Sequence, residues 1–350
     1  MVQSLLDMQF FRDSEDKPEI AQVLPGAAIA GGELEIRGTG FLRGGRAKVL
    51  VGDVQAPVII GSQSFIIAKV PDGADNGNLL VDNGERLSSI WNCEIGIQLA
   101  EDLHPVSSPA VDSQGNIFTT FSGTRGQKTP VSVYKIDSRK GMTPFLSDIM
   151  NPTGLAFDRE GLLYISSRND EIVYQCTPSG QLSIFVEGMG TATGLAFDDE
   201  GNLYVGDRSG TIFKVSPTRQ IYVFATVEPS IAAYHMAFGS DQHLYITGPT
   251  TSSYDVVHRV APDGQVEIFF RGLGRPQGLA FDDAGNLYVS SSLAGRRGVV
   301  RITPNKEASL FLSGPGIVGL AFTPSKAMAI ATNNAIFRVN VGIAGRPIWG

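Results

Sequence analysis

Cysteine and histidine are scarce in this chain, and long apolar runs are missing. Of 350 residues only two are cysteine, Cys93 and Cys176, and four are histidine. Two cysteines cannot make the dense framework of a small secreted scaffold, so both are expected as free, buried thiols. No stretch approaches the ~20 apolar residues needed to span a bilayer. Met1 to Phe11 lacks a basic start and a long apolar run, and Asp7 interrupts it. No signal peptide is read there, and a cytoplasmic location is expected. Basic residues are outnumbered, 28 Lys and Arg against 35 Asp and Glu, for a net charge of −7. No Lys/Arg cluster stands out, so neither nucleic acid nor a membrane is expected as a partner. Gly-x-Ser-x-Gly, a Walker-type loop, His-Glu-x-x-His and paired-Cys motifs are all absent, so no motif announces a reaction class.

The chain is rich in glycine, with 41 residues, and it repeats. Gly154-Leu155-Ala156-Phe157 returns as Gly194 to Phe197, His235 to Phe238, Gly278 to Phe281 and Gly319 to Phe322, and Ser108 to Val111 is a degenerate first copy. The anchors 111, 157, 197, 238, 281 and 322 are therefore 46, 40, 41, 43 and 41 residues apart. A period near forty means one supersecondary unit repeated. In the third copy an apolar run at 194–197 precedes the turn 198–202. Strand-like segments follow at 203–205, 212–215 and 221–225, with period-2 alternation and turn residues between them. Four strands per forty residues is a propeller blade, and six anchors predict six. Residues 93–100, with Ile95, Ile97 and Leu99 alternating, are expected to close the last blade as its outer strand, since Gly345 to Trp349 makes a poor fourth strand.

Residues 1–17 are read as an extension, 18–92 as a small β-sandwich outside the repeat, and 93–350 as the propeller. The fold expected is thus all-β, a six-bladed β-propeller preceded by a small immunoglobulin-like β-sandwich. Pro25-Gly26, Gly31-Gly32, Gly38-Thr39-Gly40-Phe41 and Val70-Pro71, in that order, resemble the IPT/TIG family of immunoglobulin-like domains. That resemblance implies a spacer or a partner-contact module.

The turns after strand one and strand three are short and uniform. Those after strand two are long: Thr120 to Pro130, Thr247 to Tyr254 and Ser290 to Arg297. Variable loops on a rigid scaffold carry function, so the loop-rich face is expected to bind, around the mouth of the central channel. The residues before each anchor would ring that mouth: Ser107, Thr153, Thr193, Tyr234, Gln277 and Val318. A second ring would hold Phe121, Ser167, Asp207, Gly248, Ser291 and Thr332, with Arg168, Asn169, Arg208, His235 and Asn333 around it. A polar, mostly uncharged mouth suits a small uncharged or weakly anionic ligand, or else a protein partner. His235, in the place of an anchor glycine, and Asp207, at the end of a second strand, are the catalytic candidates if there is chemistry. The structural alternatives are a hydrogen-bonded histidine and a turn cap. The acidic pairs Asp198-Asp199 and Asp282-Asp283 are read as turn residues.

Asp198 to Val215, running Asp-Asp-Glu-Gly-Asn-Leu-Tyr-Val and then Gly-Asp-Arg-Ser-Gly-Thr-Ile-Phe-Lys-Val, resembles NHL repeats and the related six-bladed SMP-30/gluconolactonase propellers. The resemblance implies a lactonase whose channel metal is held by Glu, Asn and Asp just before strand one. The matching positions here are the first ring, which has no such residue, so no cofactor or metal is expected. Two functions follow as expectations. One is ligand or partner binding at the loop-rich face. The other is hydrolysis of a lactone or ester at a site unlike the family's metal site.

Overall fold

The computed structural model describes residues 17–74, 76–123, 127–137, 141–251 and 255–346. Nearly all of the N-terminal extension, the loop tips 124–126 and 252–254, and 347–349 of the weak final strand lie outside these. Among the described residues the chain is all β, with no helix. It divides into two compact units, Met1–Ile97 with Leu310–Pro315, and Gln98–Ser309 with Gly316–Gly350.

The first unit is built from two four-stranded sheets. One orders Glu19–Leu24, Glu33–Thr39, Phe65–Lys69 and Val58–Gly61, and the other Val54–Ala56, Lys48–Val51, Asn78–Asp82 and Trp91–Asn92. Alternation decides which face is covered. Leu34 and Ile36 are fully buried while Glu33, Glu35 and Arg37 between them are not. Val49, Val51, Leu79 and Val81 of the second sheet join the same core as Leu34, Ile36, Ile66 and Ala68 of the first. Cys93 packs into that core. Like Cys176 in the other unit, it is a buried free thiol, and burial pushes both up to about 11.

In the second unit the repeats become antiparallel meanders. Copy three is Ala192–Phe197, Leu203–Asp207, Thr211–Val215 and Ile221–Thr226, paired in that order, and copies one, two and four follow the same plan. Copy five pairs Leu279–Phe281, Leu287–Leu293 and Arg296–Ile302. Copy six pairs Ile317–Phe322, Met328–Thr332 and Ile336–Val339, and its outer strand is Ile97–Ala100. The second strand of each copy is buried along its whole length in copies one to four, because sheets pack against both of its faces.

The recurring anchor has a physical basis at each end. Its Phe meets, edge to face, the aromatic of the preceding copy's second strand. Phe118–Phe157, Tyr164–Phe197, Tyr204–Phe238, Tyr245–Phe281 and Tyr288–Phe322 have ring centroids 5.3, 4.9, 4.9, 4.8 and 5.2 Å apart. Each such pair adds ~0.5–1.5 kcal/mol beyond its buried area. Copy six has Ala329 where the others have an aromatic, and copy one has Val111 instead of Phe. There an aliphatic cluster of Ala100, Leu103, Val111, Ile117, Ile136, Ala329, Ala331 and Ile336 joins the last copy to the first.

The anchor glycine is required by close approach. A Cβ on Gly194 would stand 2.6 Å from the Tyr234 carbonyl oxygen, and one on Gly319 2.3 Å from Ser108 Cα. The Asp-rich turns are turn chemistry throughout. Asp198 Oδ1 accepts the Glu200 and Asn202 amides at 3.0 and 2.8 Å, Gly201 takes φ +83°, and Tyr204 Oη donates to Asp198 Oδ2 at 3.2 Å.

Candidate functional site

The first strands converge on a cavity of about 750 Å³, a volume suited to one small organic molecule. All six copies line it, with Ala110, Leu155, Leu195, Met236, Leu279 and Leu320 among its apolar staves. It extends to the short turns after strand one, at Asp158–Glu160 and Asp198–Gly201, and to Arg346.

Two polar groups on its wall have no hydrogen-bond partner among the described residues. Ser108 and His235 stand where four other copies have the anchor glycine, and both line the cavity. The Ser108 hydroxyl is buried without a hydrogen bond, and among the described residues nothing bonds the His235 ring. His235 is only 5% exposed, and burial pushes its imidazole down to about 4, so at neutral pH it is an uncharged donor and acceptor.

The C-terminal segment crosses the short-turn end. Gly345 bridges to Asp282, the Asp283 amide donates to the Ala344 carbonyl at 3.1 Å, and the Arg346 amide to the Phe281 carbonyl at 2.9 Å. The Arg346 guanidinium then reaches two further copies. Its Nη1 donates to the Phe238 carbonyl at 2.7 Å and its Nη2 to Asp199 Oδ2 at 2.9 Å. Asp199 also accepts from Gln242 and lies 3.6 Å from Arg159.

Of the residues singled out by spacing, Ser107, Tyr234 and His235 line this cavity; Thr153, Thr193, Gln277 and the second ring do not. The first ring is committed to holding copies together. Ser107 Oγ donates to the Thr153 carbonyl, Thr193 Oγ1 donates to the Gly206 carbonyl at 2.9 Å and accepts the Tyr234 amide at 3.1 Å, and Tyr234 Oη donates to the Glu228 carbonyl. The Gln277 carbonyl accepts from Thr247 Oγ1. Strands that converge this tightly bring each hydroxyl against a neighbouring carbonyl. Those bonds leave poor donors for the metal that the lactonase resemblance implies. Among the described residues no three His, Cys, Asp or Glu lie close enough together to hold an ion.

The second ring lies at the loop-rich end. Asp207 caps its turn, accepting the Thr191 amide at 2.8 Å and the Ser209 hydroxyl. Phe121 packs edge-on to Tyr134, Ser291 Oγ donates weakly to the Val289 carbonyl, and the Asn333 amide donates to the Gly316 carbonyl. Arg168 and Arg208 follow the second strands of copies two and three. Sequence reasoning passed over Ser108, whose position in the degenerate anchor was the available signal, and Arg346, for which the sequence offers none.

Neither a family model nor a curated protein matches the chain. Among solved structures it is similar to an auxiliary nutrient binding protein from Bacteroides thetaiotaomicron, with TM-score 0.56 and 13% identity over 92% of this chain and 97% of that one. A putative gluconolactonase aligns with TM-score 0.59 and 15% identity over 73% of this chain and 94% of its own. A streptogramin B lyase aligns with TM-score 0.51 and 12% identity over 90% of this chain and 92% of its own. At these identities the likeness establishes the fold, a β-propeller.

Proposed function

We propose that the chain is a small-molecule-binding propeller of six blades, preceded by an immunoglobulin-like sandwich, and that the channel cavity is its binding site. The supporting observation is that Ser108 and His235, which have no hydrogen-bond partner among the described residues, stand on the strand-one part of the wall between apolar residues such as Leu155, Leu195 and Leu279. A buried polar group without a partner is costly, and a ligand that bonds it removes the cost. The ligand class is an uncharged molecule with an apolar body and a group able to hydrogen-bond a neutral imidazole.

Binding is favoured over catalysis because among the described residues no acid orients His235, and a pKa near 4 makes it a weak base at neutral pH. Asp207 is engaged in its own turn. The second reading, hydrolysis of a lactone or ester, rests on a hydroxyl and an imidazole sharing one cavity.

Calorimetry against a panel of uncharged sugars, lactones and aromatic alcohols tests both. A binder is expected to weaken about five-fold in Ser108→Ala and in His235→Ala, the worth of one hydrogen bond each, and to be unaffected by Asp207→Asn. Binding that survives both alanines would put the ligand elsewhere. Turnover of any lactone or ester, lost in both variants, would replace binding by the second reading. The six-blade reading predicts that deleting 97–100 destabilises the whole second unit; an unchanged unfolding midpoint would break it.

A further inference from the structure

The loop-rich end holds a feature the channel does not use. Arg168 and Arg208 occupy the same register position, directly after the second strands Leu163–Ser167 and Leu203–Asp207 of adjacent copies. In a chain with more acids than bases, neighbouring arginines are ordinarily matched by carboxylates. Among the described residues no carboxylate lies within 4.0 Å of either guanidinium.

The acids beside them in sequence are engaged elsewhere. Asp170 Oδ2 accepts from Ser167 Oγ at 2.8 Å and Tyr174 Oη at 3.2 Å, and Asp207 accepts the Thr191 amide and the Ser209 hydroxyl. Instead the two arginines are braced by neutral groups. Arg168 Nη2 reaches Ser122 Oγ at 3.4 Å, while Arg208 donates to the Ser230 and Ile231 carbonyls at 3.5 and 3.0 Å. Among the described residues that leaves Nε and Nη1 of Arg168 and Nη1 of Arg208 without a hydrogen bond. Both side chains are half-buried. Burial, and after it the charge of Arg208, holds the Arg168 guanidinium below its ordinary range. Two like charges in a partly desolvated setting repel each other, and an anion received between them would relieve the repulsion.

We propose that Arg168 and Arg208 form a binding site for a small oxyanion, a carboxylate or a phosphate, on the loop-rich end of the propeller and separate from the channel cavity. Each guanidinium supplies planar N–H donors that suit two oxygens at once, and the bracing by Ser122, Ser230 and Ile231 fixes them before the ligand arrives.

The test is calorimetry of the full chain at low ionic strength with inorganic phosphate and with acetate. Saturable binding of at least one is expected, weakened about ten-fold in Arg168→Gln and in Arg208→Gln. Arg37→Gln, in the first unit, should bind as the parent does. Arg168→Lys keeps the charge and should lose affinity less than Arg168→Gln, which separates ligand contact from a folding defect. Phosphate binding without acetate binding assigns a phosphate ester; acetate binding assigns a carboxylate. No saturable heat with either anion, or affinity unchanged in both glutamine variants, overturns the site. Neither result touches the channel reading, which rests on Ser108 and His235.

Discussion

Arg346 donates to Asp199, 147 residues earlier in the chain, at 2.9 Å while its own backbone is bonded to Phe281 and its side chain lines the channel cavity. One residue, through its backbone and its guanidinium, thus ties the C-terminal segment to three copies of the repeat. The pair is partly exposed, at 19% and 45% for the two side chains, so it contributes ~0–1 kcal/mol to stability. The side chain also lines the short-turn end of the cavity.

Replacing Arg346 with Ala should therefore barely move the melting temperature and open the short-turn end of the channel. His235, uncharged above about pH 4, reports on this through acylation by diethyl pyrocarbonate, followed by mass spectrometry. Modification several-fold faster than in the parent, with His243 as internal reference, is expected. Equal rates would mean that the segment does not restrict the cavity.

Phe238 packs against Tyr204 across the interface between copies three and four. Phe238→Ala should cost about 3–5 kcal/mol, the usual range for a large aromatic deleted from a core. The denaturant midpoint measures it. A loss below 1 kcal/mol would show that the edge-to-face series does not hold the copies together.

Gly319→Ala makes a sharper case, because the obstacle is backbone. The new methyl would stand 2.3 Å from Ser108 Cα and 2.5 Å from Ser108 N, and neither can turn away. Overpacking of this kind costs about 1–3 kcal/mol or more. Unfolding midpoints of Gly319→Ala and of the parent decide it; equal values would refute the close approach.

His235 makes stability depend on pH. Its folded pKa of about 4 lies below the ordinary 6.5, so the unfolded chain takes up the proton first as pH falls. Stability then declines from about pH 6.5 down to about pH 4, by roughly 3 kcal/mol at most. His258, also lowered mainly by burial, acts in the same direction. Unfolding midpoints of parent and His235→Gln should diverge across this window, with the parent losing more. Parallel curves would contradict the burial of a neutral imidazole.

The propeller was legible because its determinants are local and repeated. Gly-Leu-Ala-Phe encodes a backbone approach at one end and an aromatic contact at the other, and forty residues suffice to display both. The pattern also marks its own exceptions, so His235 draws notice where glycine is expected. Ser108 is an exception of the same kind, masked because the whole first anchor is degenerate. The cavity's extent was not legible. Loop length points to one end of the channel, whereas at that end Ser107, Thr193 and Tyr234 are drawn into bonds with neighbouring copies. Arg346 is invisible to sequence reasoning for a different reason. Nothing in Gly345-Arg346 signals a return to Asp199, since that contact exists only once the copies have packed together.

The aliphatic junction of copies six and one has a consequence for the order of folding. Every other junction joins segments about forty residues apart, but this cluster brings Val111 of copy one against Ala329 of copy six, 218 residues later (329 − 111). Closing so long a loop is entropically dearer than closing a short one, and among the described residues no aromatic pair spans this junction as one spans the others. The junction is therefore the last to assemble and the first to part. Amide exchange should be faster in Ile336–Val339 than in Leu203–Asp207, and comparable rates would show that the circle opens without preference.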